Sequence, residues 1–371
     1  MQTYIGLAAM VLAVGCNLDD VNDLETSETA APLSRQCPDP EEKCPVGNGG
    51  GVYTEELGNA HIGNSDLMLT RFMNVNGHVY VAGRGLDSTG TSYAQFTGDV
   101  VDASYNGTYG YTVVSVSESL TVPKFMLRAG SAAPFPVDGD DILNLRLVIE
   151  FDGVDYTLSF WNPQGDTGTS GYNTATLRMY YMRWNPGKVF NGATSQPYCT
   201  RAPINGSVPD PVVFQQGIGV NALSAKMVRN DSYVTLSCRY GAIATVRWWG
   251  YVYRGNAAQS TMFEAAMHMK RASYCGDDTF FTRANTYIYI KDIVPNQHGT
   301  VTPTNMEASW GADTNGRIRA LCVTDANRRR PLAKYYGDVF DRTCNGTVSP
   351  AIPDCPLGYG DGLGPLADQS P

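Results

Sequence analysis

Between residues 57 and 195 apolar and polar side chains alternate in short runs, and turn residues separate the runs. His78-Val-Tyr-Val-Ala82, Tyr111-Thr-Val-Val-Ser-Val116, Leu143–Phe151, Tyr156–Trp161 and Ala175–Trp184 are rich in β-branched and aromatic residues. A period of two places alternate side chains on opposite faces of a strand, so one face is buried and the other meets water. Asn76-Gly77, Asn106-Gly107 and Asp152-Gly153 fall between such runs. These pairs tolerate the positive φ of tight hairpin turns, and Asp152-Gly153 gives the sharpest hairpin signal. The pattern predicts an antiparallel β-sandwich or barrel over 57–195. Asp138-Gly-Asp140-Asp141 offers oxygens to calcium but lacks the rest of an EF-hand loop, and reads as a solvated acidic turn.

The character changes near Cys199. Pro211–Phe214, Ala225–Arg229 and Tyr233–Cys238 are still strand-like, but Ile243, Val246 and Trp249 then recur at helical spacing, with Gly250 as the stop. Thr261-x-x-Glu264 resembles a capping box opening a second helix, on which Met262, Ala266 and Met269 share a core-facing side. A cysteine, a Gly-Asp turn and the strand Tyr287–Asp292 follow, then short strands at Met306–Trp310 and Ile318–Val323. The fold class expected is therefore mainly β: an N-terminal antiparallel sandwich or barrel, then a smaller disulfide-stapled α+β domain over 196–345. Residues 346–371 are Pro/Gly-rich and read as a tail whose last dozen residues are disordered.

The first fifteen residues carry the apolar run Ile5–Gly15, too short to span a bilayer but suited to a secretory signal. Leu12-Ala-Val-Gly-Cys16 resembles a bacterial lipobox, which makes Cys16 a lipidation site, although no Lys or Arg lies upstream. Residues 16–56 are polar and acidic, end in Gly47–Gly51, and read as a flexible tether. Eight cysteines remain: Cys37, Cys44, Cys199, Cys238, Cys275, Cys322, Cys344 and Cys355. An even number in an exported chain reads as four disulfides, with the connectivity open. Cys37 and Cys44 either close a small loop or pair elsewhere. No Cys-x-x-Cys occurs, and His61, His78, His268 and His298 do not cluster with cysteines, so no metal site or cofactor is implied. The net charge of −9, with no dense basic block, argues against nucleic acid.

Arg271-Ala272-Ser273-Tyr274-Cys275-Gly276-Asp277-Asp278 is similar to the Ala-Asp-Tyr-Cys-Gly-Asp-Gly signature of the ADYC domain family, whose members are exported and often lipidated. Ser237-Cys238, Gly241-Ala-Ile243 and Trp249-Gly-Tyr251 resemble a second block of that family; Met306-Glu-Ala-Ser-Trp310 with Ala320-Leu-Cys322 resembles a third. The resemblance covers 196–345. Two departures stand out: Ser273 replaces the signature Asp, and Asp278 the following Gly. Typical members also carry cysteines where this chain has Val246 and Ala266. Losing both together strands no thiol and forgoes a crosslink of about 3 kcal/mol. By the resemblance, Cys275 is expected to pair with Cys238 or Cys322. It implies no established activity, and with Ser273 in the signature no catalytic acid can stand there.

No nucleophile elbow, zinc-protease motif, phosphate loop or dinucleotide fingerprint occurs. A His268–Cys275 dyad needs a free thiolate, which the disulfide reading consumes. Adjacent Asp277 and Asp278 read as solvated turn acids. The expectation is an exported, lipid-anchored protein of the outer membrane or cell surface, with a structural or interaction role and no catalytic residue. Its partners would be the membrane through its lipid, and a surface protein or polysaccharide. The alternative is a secreted hydrolase or polysaccharide-binding protein acting through loop carboxylates and aromatics.

Overall fold

The computed structural model describes residues 61–62, 67–86, 93–119, 122–151, 153–161, 178–200, 209–220, 227–238, 242–253, 257–276, 281, 289–292, 306–328, 340–356 and 366–369. Cys16, Cys37, Cys44 and the expected signal and tether lie outside them. The first strands are β1 (His61–Ile62), β2 (Leu67–Val75), β3 (His78–Leu86), β4 (Tyr93–Tyr105), β5 (Thr108–Ser119), β6 (Val122–Ala129) and β7 (Phe135–Asp138). After a 3-10 turn over Gly139–Asn144 come β8 (Leu145–Phe151), β9 (Val154–Trp161), β10 (Tyr181–Pro186) and the two-residue strands β11 (Gln196–Pro197), β12 (Cys199–Thr200) and β13 (Pro209–Asp210). Strands β14 (Val212–Val220) and β15 (Met227–Cys238) lead to helices α1 (Ala242–Trp248) and α2 (Ala257–Arg271). Strands β16 (Tyr289–Asp292), β17 (Ala308–Ala312), β18 (Ile318–Val323) and β19 (Leu366–Gln369) complete the set.

Three tight turns set the hairpins. Asn76 and Gly77 join β2 to β3 with φ of 50° and 77°, and Asn106 and Gly107 join β4 to β5 with 50° and 79°. Positive φ at both central residues is the type I′ geometry that matches strand twist. Phe151 pairs with Val154 across the third turn, where Gly153 has φ 74°. The expected strand Leu143–Phe151 begins only at Leu145, because Leu143 and Asn144 close the 3-10 turn.

The sheet runs β11-β10-β9-β8-β4-β3-β2-β15-β14 and curls until its ends meet. Val212 N–H donates to the Tyr180 carbonyl at 2.7 Å and Tyr180 N–H returns to Val212 at 3.1 Å, joining β14 to the residue before β10. Of sandwich and barrel, the fold is thus the curled, barrel-like one. The Cys199–Cys238 disulfide fastens this seam, since Cys238 sits opposite Val212. Inward positions alternate as the sequence indicates: Leu145, Leu147 and Ile149 of β8, Leu158 and Phe160 of β9, and Val234 and Leu236 of β15 are buried in one cluster. Phe72, Phe125, Phe160, Phe214 and Tyr180 fill it, with ring centroids 5.6–6.5 Å apart. The division expected at 195/196 runs through this sheet, since β14 and β15 pair into it beside β2.

A second core begins with α1. Its final turn is a Schellman motif: Gly250 N–H donates to the Arg247 carbonyl at 2.9 Å and Tyr251 N–H to Val246 at 3.2 Å, with Gly250 at φ 90°. Helix α2 begins at Ala257, so Thr261 and Glu264 lie inside it and form no capping box. Glu264 is instead drawn to Arg229 on β15, whose Nε donates to Oε1 at 2.7 Å. Nor does α2 bury one stripe only. Met262 through Arg271 are all buried, because α1 covers one side and the sheet β16-β19-β17-β18 another. The expected disordered tail is corrected here: Leu366–Gln369 form β19, the strand between β16 and β17. Its Leu366, Ala367 and Asp368 are fully buried, which the surrounding Gly and Pro composition concealed.

Candidate functional site

Helix α2 ends on the signature segment, and each residue there has a distinct mechanical task. Ala272 adopts φ 50°; its N–H donates to Met269 at 3.1 Å and Ser273 N–H to His268 at 2.9 Å, a second Schellman cap. A non-glycine residue in this region costs about 1–2 kcal/mol, held here by packing that leaves Ala272 fully buried. Buried Ser273 occupies the position of the signature Asp.

Tyr274 enters the second core. Its hydroxyl donates to Glu307 Oε1 at 2.5 Å, and its ring stacks on Trp310 with centroids 5.5 Å apart. The Trp310 indole donates to Asp368 Oδ1 at 2.9 Å, while Glu307 N–H donates to the Asp368 carbonyl at 2.7 Å. Phenol, indole and two carboxylates from three distant segments thus satisfy one another in the interior. Asp368→Ala leaves the buried indole N–H without this acceptor and is expected to cost about 1–3 kcal/mol in urea unfolding. Asp368→Asn, which keeps an acceptor oxygen, is expected to lose less.

Cys275 bonds to Cys344, correcting the expectation of Cys238 or Cys322. Cys238 is taken by Cys199 at the barrel seam. Cys322 packs with Met306 and Ala367, on the sheet face opposite the one that α2 covers with Ala308, Trp310 and Ala320, because a bulge at Leu321 of β18 reverses the alternation between Ala320 and Cys322. There Cys322 bonds to Cys355. Cys344 is presented to Cys275 by a turn in which Cys344, Asn345 and Gly346 all have positive φ. The exposed Asp341 carboxylate accepts from the Thr343 hydroxyl at 2.8 Å and from the Thr343 and Asn345 N–H groups at 2.8 and 2.7 Å, and these bonds, the hydroxyl's first, hold its pKa below the usual range. Gly276, at φ 61°, lets the chain press against β18, and Ala320 N–H donates to the Tyr274 carbonyl at 2.9 Å. Asp277 lies outside the described residues.

His268 is 5% exposed, and its Nδ1 has no hydrogen-bond partner among the described residues. Burial, reinforced by the positive charges of Arg271, Arg317 and Arg229, lowers its pKa to about 3. The unfolded chain, titrating near 6.5, then binds more protons than the native one across pH 6.5 to 3. Stability is complete above that window and falls as pH drops through it, by about 1.4 kcal/mol per unit. His268→Gln is expected to flatten this slope in unfolding measured between pH 6.5 and 4. The salt-bridged Asp313, also held low by Arg319, acts only below the ordinary carboxylate range.

Of the other acids considered, Asp140 pairs with Arg178 at 2.5 Å. Among the described residues no group of three or more His, Cys, Asp or Glu is placed to hold a metal ion, and no helix is long and apolar enough to cross a membrane. Sequence reasoning missed the partners Glu307 and Asp368, although Glu307 stands inside the quoted Met306–Trp310 block.

The model of the ADYC domain family matches residues 139–329, more than half of the chain. The match begins at the 3-10 turn and takes in β8–β10 as well as the signature, well upstream of the 196–345 span read from motifs. No curated protein matches the chain, and no solved structure does.

Proposed function

Because the chain belongs to the ADYC domain family, we propose that it is an exported, lipid-anchored surface protein with a structural or interaction role, in which the signature fastens the fold. The observation that carries this reading is the consumption of the signature's reactive groups. The Cys275 sulfur is bonded to Cys344, and the Tyr274 hydroxyl is spent on Glu307. A cysteine so placed offers no thiolate to a substrate. Three disulfides among the described residues suit an oxidising compartment. The lipid is proposed on Cys16, with the membrane as partner through it.

The test is metabolic labelling with an alkyne fatty acid in a bacterial host, followed by membrane fractionation. Wild-type chain is expected in the membrane fraction carrying label, and Cys16→Ser unlabelled and released. An unlabelled wild-type chain retained in the cytosol overturns the proposal.

A further inference from the structure

We propose that the outer face of β8, β9 and β10 binds an acidic polysaccharide, Arg146 and Arg183 taking its carboxylates while Trp161 and Phe190 take its ring faces. Register carries the first part of the argument. Ser104 pairs with Arg146, Arg146 with Ser159, and Ser159 with Arg183, so the two arginines lie in one transverse row with a serine between them. Two strand spacings put their Cα atoms about 10 Å apart. That span suits an oligosaccharide rather than one small anion.

Neither arginine has a carboxylate within ion-pair distance among the described residues, although the chain carries net charge −9. Arg146 donates to the carbonyls of Leu143 and Leu145 at 3.0 and 2.9 Å, and its guanidinium lies 5.1 Å from the Phe190 ring centroid. Arg183 lies 5.5 Å from the Trp161 ring centroid. Trp161 is 39% exposed, and Tyr109, opposite Ser104, is 58% exposed. Each cation is therefore half-buried against an aromatic face, and neither has a counterion among the described residues. A planar guanidinium in that state is suited to bidentate pairing with a carboxylate. The apolar face of a pyranose ring suits an exposed indole. Two isolated arginines are too few for a nucleic-acid backbone.

The claim is independent of lipid at Cys16 and of the fastening role, so its failure leaves both standing. The experiment titrates the full chain with polygalacturonate oligomers, following the heat of binding, beside neutral dextran and inorganic phosphate. Polygalacturonate alone is expected to bind, more weakly at high salt. Arg183→Gln and Trp161→Ala should each weaken it by about tenfold at unchanged unfolding midpoint. No polygalacturonate binding, an equal response to dextran or phosphate, or variants that bind like wild type would each overturn the proposal.

Discussion

Glu118→Leu is expected to lower stability by about 3–5 kcal/mol, and adding Arg247→Met to recover most of that loss. The Arg247 guanidinium of α1 lies 2.8 Å from Glu118 at the end of β5, with both side chains only 2% exposed. The rest of the network is equally enclosed. Glu118 N–H donates to Gln216 Oε1 at 2.9 Å, Gln216 N–H returns to Glu118 Oε2 at 3.0 Å, and Arg247 also donates to Gln215 Oε1 at 3.0 Å. These contacts lie where the β14–β15 ladder is interrupted: Gln216 pairs with Val234 but Gly217 with Asn230, leaving Asp231, Ser232 and Tyr233 of β15 as extra residues. Burial lowers the Arg247 pKa, and the Glu118 charge opposes that shift. Removing Glu118 alone strands a buried cation, which is the large term; removing both charges leaves an apolar contact. Urea unfolding of the two single variants and the double variant gives the coupling. Additive losses would show that the ion pair is not what joins barrel and helix.

Gly276→Ala is expected to cost about 3 kcal/mol or more, or to prevent accumulation of folded protein. A Cβ built on Gly276 overlaps the Ile318 carbonyl oxygen and meets Arg319 Cβ at 3.0 Å. The φ of 61° adds the left-handed penalty of about 1–2 kcal/mol. Both obstacles are backbone or near-backbone atoms of β18, which cannot swing aside while Ala320 N–H stays bonded to the Tyr274 carbonyl. Gly153→Ala is the control. It shares positive φ, but nothing lies within 4 Å of its added methyl. It should therefore lose only the conformational part, and an equal loss at both sites would refute a steric role for Gly276.

The barrel was legible because its information is local. Alternation in β8 and β9 and the Asn-Gly and Asp-Gly turns specify strands and hairpins without knowledge of partners. What escaped was long-range. Glu264 has the spacing of a capping box, but Arg229, on a strand distant in sequence, competes for its carboxylate and α2 starts a turn earlier. Leu366-Ala-Asp-Gln369 has no alternation to announce a strand, and becomes one because β16 and β17 offer it two edges. The pairing of Cys275 depended on which face of β18 Cys322 occupies, and a bulge at Leu321 of β18 decides that. At the candidate site, Tyr274 and Cys275 could be singled out from sequence. That they are inward-facing fasteners needed Glu307, Trp310 and Cys344 in place.

Whether the signature fastens the fold or supplies a reactive group is tested most directly by trapping free thiols in the native protein and mapping its peptides without reduction. The account predicts peptides linked through Cys275 and Cys344, through Cys199 and Cys238, and through Cys322 and Cys355. Alkylation of Cys275 in native, folded protein, with Cys344 free as well, would contradict it.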